Sequence, residues 1–337
     1  DASNKFFAYR PSMIPNKDLG WEISRTANFG VDFGLWNNRI SGYIEGYITK
    51  TSDLLMERTL PFFTGFSKVW QNIGKTENKG IELNIQANTL KTKSFSWETT
   101  VTFARNWNKI TELLGGGDIR NNSWFIGKPL QVHYNYEMIG VWQLGEEKEA
   151  QKYGAIPGDI KVKDQNNDGS IGELDKVILG QKDPKIIASL LNSFRFGAFD
   201  ASINLNMNFG SLIHPNTYAS LITRDGLRWM PSNFKYWTPD NPTNEYTRAD
   251  KLSGYDPFAG TGGYMKGDYI KIQDITLGYD FSKIMPKNWK ILRARLYAQV
   301  RNLGYIYKAC KNDVSPEAPD FDYNIPTTYT MGINIDF

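Results

Sequence analysis

Residues 164 to 175 bring together the oxygen-bearing side chains that a cation site needs. Asp, Asn and Asp occupy positions 1, 3 and 5 of a twelve-residue loop, Gly follows at position 6, and an acid closes it. Oxygen ligands at this spacing wrap a calcium ion, and a backbone carbonyl at position 7 adds one more. The predicted ligands are Asp164, Asn166, Asp168, Ser170 and Asp175. Because position 12 lacks the longer Glu, we expect modest affinity; a metal-free loop held by its own side-chain hydrogen bonds is the alternative.

Residues that perform covalent chemistry are scarce. The chain has only two histidines, His133 and His214, and one cysteine, Cys310. A single cysteine excludes an internal disulfide and a CxxC redox pair, and we expect it to be an unpaired side chain at a strand end. The adjacent Glu146 and Glu147 lie in a polar run and do not define the fixed carboxylate separation of a glycosidase. The sequence therefore predicts a protein that is not an enzyme.

Aromatic residues make up 14% of the chain, with 10 Trp, 18 Tyr and 19 Phe. Four of the tryptophans, in long irregular segments, could stack on the faces of sugars. They are Trp124, Trp142, Trp229 and Trp237. Loop packing or contact with a partner protein is the other interpretation, since aromatic residues anchor buried interfaces. The same aromatic content suits either a membrane barrel with interfacial girdles or a carbohydrate-binding β protein.

The segments that must position these residues alternate between apolar and polar side chains. In the last eleven residues, Tyr329, Met331, Ile333, Ile335 and Phe337 share one face of a strand. Similar alternation recurs at residues 27–35, 81–87, 95–103, 199–209 and 292–300. We expect Trp36, Tyr279, Tyr329 and Phe337 to lie at a membrane interface, with Tyr329 and Phe337 also forming an insertion signal at the carboxy-terminal strand.

The opposite faces of these strands are strongly polar. Asn204, Asn206 and Asn208 alternate with the apolar set of one strand, and Arg293, Arg295 and Arg301 with that of another. Such side chains are costly in lipid and ordinary in a hydrated lumen. In a further strand the apolar phase slips near Gln273–Asp274, which predicts a β-bulge.

The composition is close to neutral, with a net charge of +3 and a mean hydropathy of −0.47. The sequence lacks the clustered basic residues of a nucleic-acid binder. It also has no apolar run of about 18 residues, the length that a membrane-spanning helix needs. We count eight to ten long strands, interrupted by long excursions at 112–185 and 211–266. Short turns, such as the one at Asn37–Asn38, join the strands at the other end. The pattern predicts an all-β, transmembrane, antiparallel up-and-down β-barrel with long extracellular loops.

Several short motifs follow one another along residues 16 to 337. They are Asn16–Glu22 (NKDLGWE), Asn72–Gly74 with Asn78–Leu83, Ile126–Leu130 with Gly140–Gln143, Pro157–Asp164, Tyr236–Pro242, and Tyr269–Ile272 with Ile275–Tyr279. In this order they resemble the SusC/RagA family of TonB-dependent outer-membrane transporters. The chain departs from the family at Asn312–Glu317, where a Tyr-Asp-Pro-Glu stretch is common, which leaves the contacts of that loop open.

The resemblance implies the carboxy-terminal part of a barrel of about 22 strands in the Gram-negative outer membrane, with the plug and amino-terminal domains outside this chain. It implies import of an oligosaccharide or a peptide, driven by TonB through an upstream segment. It also implies a SusD-like lipoprotein lid and a dimer of transporter–lid pairs. The chain begins at Asp1 without Met, so we interpret it as part of a longer or processed polypeptide. The alternatives are a soluble or surface-attached calcium-binding, β-rich glycan-binding protein, and a passive porin.

Overall fold

The fold is built almost entirely from β-strands. A computed structural model describes residues 14–223, 235–248, 258, 260–282, 284–286, 291–311, 314–320 and 325–337. The strands in these ranges are β1 (Ile23–Leu35), β2 (Ile40–Thr59), β3 (Lys68–Lys91), β4 (Phe95–Leu113), β5 (Val132–Asn135), β6 (Met138–Val141), β7 (Ile160–Val162), β8 (Val177–Gln181), β9 (Ile186–Phe196), β10 (Phe199–Phe209), β11 (Leu212–Ile213), β12 (Met265–Lys266), β13 (Tyr269–Asp280), β14 (Arg293–Lys308) and β15 (Thr328–Asp336). Two short helices, α1 (Glu147–Lys152) and α2 (Asn216–Thr223), lie between strands.

Nine strands form one sheet in the order β1, β2, β3, β4, β9, β10, β13, β14, β15. Neighbours in the sheet are therefore neighbours along the chain, apart from small strands in the excursions. The pairings from β4 to β15 are antiparallel. This is the up-and-down, all-β arrangement that the alternating pattern predicts. The predicted slip at Gln273 is confirmed, because the β10–β13 register shifts where Asn204 faces Asp274 and Leu205 faces Ile272.

Short turns close the hairpins at one end of the strands. Trp36, Asn37 and Asn38 all adopt positive φ, at 51°, 55° and 61°. Asn tolerates this left-handed region because its short side chain hydrogen-bonds locally. The connection between β9 and β10 is only Gly197–Ala198, and Gly197 has φ 60°. At the other end, the chain runs through residues 114–185 between β4 and β9 and through residues 210–268 between β10 and β13.

Contacts divide the chain into two units. The first comprises Asp1–Gly30, Glu45–Ile81 and Asn106–Val132. Its described core includes Met56, Val69, Ile73, Ile110 and Leu113, each less than a tenth exposed. Residues 126–128 pair with Ile110 through backbone hydrogen bonds of 2.8 and 2.9 Å. Because the Ile110 side chain is almost fully buried, one face of β4 is packed at this level.

The second unit comprises Val31–Ile44, Glu82–Arg105 and His133–Phe337. Its apolar cluster contains Tyr218, Ile222, Cys310 and Val314, with Met138, Ile213, Tyr246 and Met265 packed against it. Cys310 thus lies inside a small core beyond the end of β14. Within the described residues, neither helix is long and apolar enough to span a membrane.

The sheet strands of the second unit have one open apolar face. Phe199 and Leu277 are each 60% exposed, and Met331 is 77% exposed. The other apolar residues of the Phe199–Phe209 face are partly exposed, so none of this face is packed inside a core. Tyr329 and Phe337 are also exposed on the terminal strand, as are Trp36 beside the first turn and, in part, Tyr279. Their roles as interface anchors stay predictions.

The polar face is tied together by ion pairs. Arg295 donates two hydrogen bonds to Asp200, from Nε to Oδ1 at 2.8 Å and from Nη2 to Oδ2 at 2.5 Å. The pair crosses β13 at Gly278, where a Cβ would meet both side chains. Arg293 likewise bonds Asp280 at 3.3 Å. Both arginines, predicted to face a lumen, are paired with acids on the same face, and for the partly buried Arg295 the pair offsets part of the cost of desolvation.

Candidate functional site

The two excursions build a folded body of small strand pairs. β5 pairs with β8, β6 with β7, and β11 with β12. Side chains connect the two excursions within the second unit: Trp237 Nε1 donates to Gln143 Oε1 at 2.9 Å, and Arg248 bonds Asp159 at 3.0 Å. Residues far apart in the sequence therefore share one site.

The acidic loop is held by its own hydrogen bonds. Asp164 accepts from the backbone N–H groups of Asn167 and Gly169, at 2.7 and 2.9 Å. Asp175, which is 1% exposed, accepts from Gln165 and Gly172 at 2.8 and 2.7 Å. The remaining predicted ligands bond within the loop: Asn166 Oδ1 accepts from Asp168 N–H, and Asp168 Oδ1 accepts from Ser170 N–H and Oγ–H. The Ser170 bonds hold the pKa of Asp168 below its usual value.

Side-chain hydrogen bonds of this kind hold Asx-turn loops. Among the described residues, no group of three or more His, Cys, Asp or Glu side chains is arranged to hold a metal ion. Asp164, Asp168 and Asp175 consequently do not converge as a ligand set in this conformation. Their oxygens instead accept hydrogen bonds from backbone N–H groups, so each of these carboxylates has a hydrogen-bond partner. Calcium binding stays a prediction.

The tryptophans singled out by the sequence occupy different environments. Trp142 is 5% exposed, stacks on Tyr153 and lies under the Lys161 ammonium, which is 4.2 Å from the ring centroid. Trp237 is 6% exposed. Trp124 is half-buried, and its backbone N–H donates to the Ile119 carbonyl at 3.1 Å. Trp229 lies outside the described residues. The rings of Trp142 and Trp237 are thus part of the loop packing here, and direct ligand contact stays a prediction.

A cavity of about 470 Å³ opens in this loop body. It is lined by Glu137, Met138, Leu212, Asn244, Thr261 and Tyr264, among others. Ligand pockets commonly have this size and combine apolar walls with a few polar groups. Hydrogen bonds from Gln165 and then Lys163 hold the pKa of Glu137 below its usual value, so its carboxylate is charged at neutral pH. No sequence pattern indicates this pocket, because its walls come from both excursions.

His133 and His214 lie near each other beside this cavity. Their ring centroids are 6.3 Å apart, and Tyr264 packs against both, at 5.1 Å from His133 and 4.2 Å from His214. His133 donates to the Leu212 carbonyl at 2.9 Å and His214 to the Gly262 carbonyl at 3.0 Å. Burial lowers the pKa of His133 from 6.5 to about 4 and also lowers that of His214. Both rings are therefore neutral at pH 7 and serve as donors that fasten β11 and residue 262.

The loop whose contacts the sequence left open docks through Glu317. Its Oε2 accepts from Lys271 Nζ and from the Tyr305 hydroxyl, both at 2.7 Å. Asp320 in the same loop accepts from the N–H of Asn216 at 2.6 Å. Residues 314–320 are therefore fastened to β13, β14 and the start of α2. Sequence reasoning missed this cluster because its members come from four separate segments.

Comparisons with known proteins agree with this architecture. A family model described as TonB dependent receptor-like, beta-barrel, matches residues 3–303. TonB-dependent receptor P26 of Formosa agariphila is 27% identical over 97% of this chain and 36% of its own length. TonB-dependent receptor SusC of Bacteroides thetaiotaomicron is 28% identical over 96% of this chain and 32% of its own length.

The fold is also that of a solved structure, "Structure of the RagAB peptide transporter", with a TM-score of 0.78 at 21% identity, over 100% of this chain and 38% of that one. The chain thus spans about a third of the length of the relatives that it matches. Since the family model covers most of the chain, the chain belongs to the TonB-dependent receptor β-barrel family, as a barrel portion of the SusC/RagA type from the Gram-negative outer membrane.

Proposed function

We propose that this chain is the carboxy-terminal barrel portion of a transporter that imports a nutrient across the outer membrane with energy from TonB. The family match over residues 3–303 carries the proposal. The polar, ion-paired face of β10, β13 and β14 supports it, because a water-filled or plugged lumen requires such a face. The protein would perform no covalent chemistry, and the two histidines act in the proposal only as structural donors.

The proposed partner is a SusD-like lipoprotein that closes over the loop body, in a dimer of transporter–lid pairs. Similarity to SusC and to the RagAB structure supports this partner. The proposed cargo is an oligosaccharide, with a peptide as the competing cargo. The 470 Å³ cavity favours the oligosaccharide, because a tyrosine ring, an amide and a carboxylate together suit a ligand rich in hydroxyl groups. The family match gives no such support to a soluble calcium-binding, glycan-binding protein. The uptake experiment described next distinguishes a TonB-driven transporter from a passive porin.

The function is tested with the full-length protein in its own membrane. Labelled oligosaccharides and labelled peptides are offered to cells that carry the intact gene, to cells without it, and to cells without TonB. Uptake that requires both genes supports the proposal. Uptake that persists without TonB or the proton gradient indicates a passive porin, and extraction of the protein without detergent would end the outer-membrane proposal.

The cargo class is tested at the cavity with Tyr264→Phe, which keeps the ring and removes the hydroxyl. We expect a higher KM for oligosaccharide uptake, by about 5–10-fold, the cost of one lost hydrogen bond to a ligand. Lys152→Gln on the exposed face of α1 is the control and should leave uptake unchanged. If peptide uptake alone responds to Tyr264→Phe, the cargo is a peptide.

We further propose that the loop from Asp164 to Asp175 takes up calcium after a local rearrangement. The spacing of its oxygen ligands supports this, and Asp164 already accepts from the position-6 Gly169 N–H. Calorimetric titration of the full-length protein with CaCl₂ should show a site that Asp164→Asn with Asp168→Asn abolishes. Asp183→Asn, an exposed acid outside the loop, is the control. Identical titrations for all three proteins would reject the calcium proposal.

A further inference from the structure

The first unit carries a basic patch on the open side of its strands. The patch consists of Arg25 on β1, Lys50 on β2, Lys75 and Lys79 on β3, and Lys109 on β4. All five side chains belong to exposed or partly exposed residues, and the lysine side chains are 47–69% exposed. Glu77 and Glu112 pair with these cations, and Asp53 also acts on Lys75, so five cations face three carboxylates and positive charge is in excess.

Glu77 gathers three of the lysines. Its carboxylate lies 3.9 Å from Lys50, 3.1 Å from Lys79 and 3.2 Å from Lys109, while only 11% of its side chain is exposed. One buried anion therefore holds three cations from three adjacent strands at one place. Lys75 pairs separately with Glu112 at 2.7 Å. Beside them, Arg25, Lys50 and Lys75 line a cavity of about 610 Å³.

The patch lies on the outer side of the strands. Ile110, which follows Lys109, is 1% exposed, so its side chain lies on the packed face of β4. Because successive residues of a strand point to opposite faces, Lys109 points away from that packing. The same holds on β3, where Gly80 next to Lys79 lies against the ring of Tyr47. The cations therefore face the surroundings of the barrel and not its interior.

The side chains two residues closer to the short turns are apolar. Ala27 follows Arg25, Ile48 precedes Lys50, Ile81 follows Lys79, and Trp107 precedes Lys109. On each of these four strands the outer face thus changes from apolar to cationic within two residues. A tryptophan at this boundary is typical of the level where lipid headgroups begin.

The distance of the patch from the short turns agrees with a position at the level of the lipid headgroups. Arg25 lies ten residues from Leu35, the turn end of β1, and Lys50 lies ten residues from Ile40. Ten residues rise roughly 33 Å along a strand, or about 23 Å along the membrane normal at a tilt of about 45°, which is close to the roughly 25 Å apolar band of such barrels. The short turns face the periplasm, so the patch stands at the outer leaflet.

From this placement we propose that Arg25, Lys50, Lys75, Lys79 and Lys109 form a binding site for the phosphorylated headgroup of an outer-leaflet glycolipid. The excess of positive charge selects a phosphate-bearing lipid, and the adjoining Ile48, Ile81 and Trp107 contact its acyl chains. Lysine ammonium groups bind phosphate as point charges, and each retains unused N–H donors beside Glu77. The bound lipid would fix the barrel in the outer leaflet independently of its cargo.

The test uses the full-length protein, delipidated in detergent and titrated with phosphorylated lipid A by native mass spectrometry. One lysine near an anionic lipid surface contributes about 1 kcal/mol, or about fivefold in affinity. Lys50→Gln alone should weaken binding by about fivefold, and the triple variant Lys50→Gln, Lys79→Gln, Lys109→Gln by about 100-fold. Lys91→Gln with Lys93→Gln, at the opposite end of β3 and β4, is the matched control and should bind as the wild type does.

Three further measurements make the outcome decisive. Enzymatically dephosphorylated lipid A should bind the wild type no better than the triple variant binds the intact lipid. Inorganic phosphate at millimolar concentration should not displace the lipid; if it does, the patch is a free-anion site and the proposal fails. The heat-dependent shift in electrophoretic mobility should be the same for all variants. Equal lipid binding by the wild type and a folded triple variant would overturn the proposal.

Discussion

Glu317 and Lys271 form an ion pair in which the cation is almost completely buried: Oε2 and Nζ are 2.7 Å apart, and 4% of the Lys271 side chain is exposed. Removing one partner of a buried pair leaves the other charge without compensation, at a cost of about 3–5 kcal/mol. Glu317→Ala should therefore release residues 314–320 and raise their amide hydrogen exchange by about 100-fold or more. Glu57→Gln, which breaks the exposed pair with Lys68, should change stability by less than about 1 kcal/mol.

Exchange in residues 314–320 that is unchanged by Glu317→Ala would show that Asp320 and the apolar contacts of Val314 hold the loop without the ion pair. Asp320→Asn, measured in the same way, separates the two contributions. It keeps a side-chain oxygen that can accept from Asn216 N–H, so we expect a much smaller effect than that of Glu317→Ala.

Gly278 should resist substitution because the Asp200–Arg295 pair crosses the backbone there. A Cβ at this position would meet the guanidinium and the carboxylate, and overpacking of this kind costs about 1–3 kcal/mol. Gly278→Ala should lower the free energy of unfolding in urea by that amount. In Gly46→Ala the nearest atom to the new Cβ is 3.9 Å away, so this variant should be nearly neutral. Equal losses in the two variants would contradict the steric explanation.

The loop body should lose stability as the pH falls. His133 has a pKa of about 4 in the folded protein against an ordinary 6.5, because burial disfavours its charged form, and Lys182 and His214 oppose the charge as well. The unfolded state therefore binds a proton first, and stability decreases as the pH falls from 6.5 towards 4. His133 is half-buried, so solvent screening keeps the effect to roughly 1 kcal/mol.

This pH dependence is measured by hydrogen exchange of β5 and β11 between pH 7 and pH 4.5, corrected for intrinsic exchange. His133→Gln removes the titrating group while keeping an N–H donor for the Leu212 carbonyl. The variant should show a flatter profile than the wild type. Two parallel profiles would assign the loss of protection to another group.

Asp175 should be the acid on which the 164–175 loop depends most, with or without calcium. It is 1% exposed and accepts from two backbone N–H groups. In Asp175→Asn one of these donors faces an amide N–H, which costs about 1–3 kcal/mol. Asp168→Asn, at an exposed position, should cost less than about 1 kcal/mol in the metal-free protein. Limited proteolysis of the loop in EDTA measures the difference, and equal cleavage of both variants would contradict it.

Phe337 should matter for membrane assembly and not for the stability of the assembled barrel. Phe337 is 83% exposed, so its replacement by Ala removes few contacts within the protein. Phe337→Ala should reduce the amount of full-length protein in the outer membrane severalfold, while the inserted fraction unfolds at the wild-type urea concentration. Met331→Ala, on the same face of β15 and 77% exposed, is the control. Normal assembly of Phe337→Ala would remove the proposed insertion signal.

Local sequence patterns were enough to predict the strands. Apolar and polar residues alternate with a period of two, so Phe199–Phe209 could be predicted as a two-faced strand, and the slip near Gln273 as a bulge. The reversal at Asn37–Asn38 was equally readable, because few residues other than Asn and Gly adopt positive φ easily. These are local properties, and each depends on neighbours within a few residues.

Tertiary structure alone decided which distant residues meet. The Glu317–Lys271 pair, the contact of His133 with His214 through Tyr264, and the grouping of Lys50, Lys79 and Lys109 around Glu77 all join segments that no sequence period relates. Side-chain spacing predicts a cation site at Asp164–Asp175, and the fold shows which backbone N–H groups those oxygens accept from. The physical reason is that register and loop docking set long-range distances, whereas periodicity sets only the face on which a side chain lies.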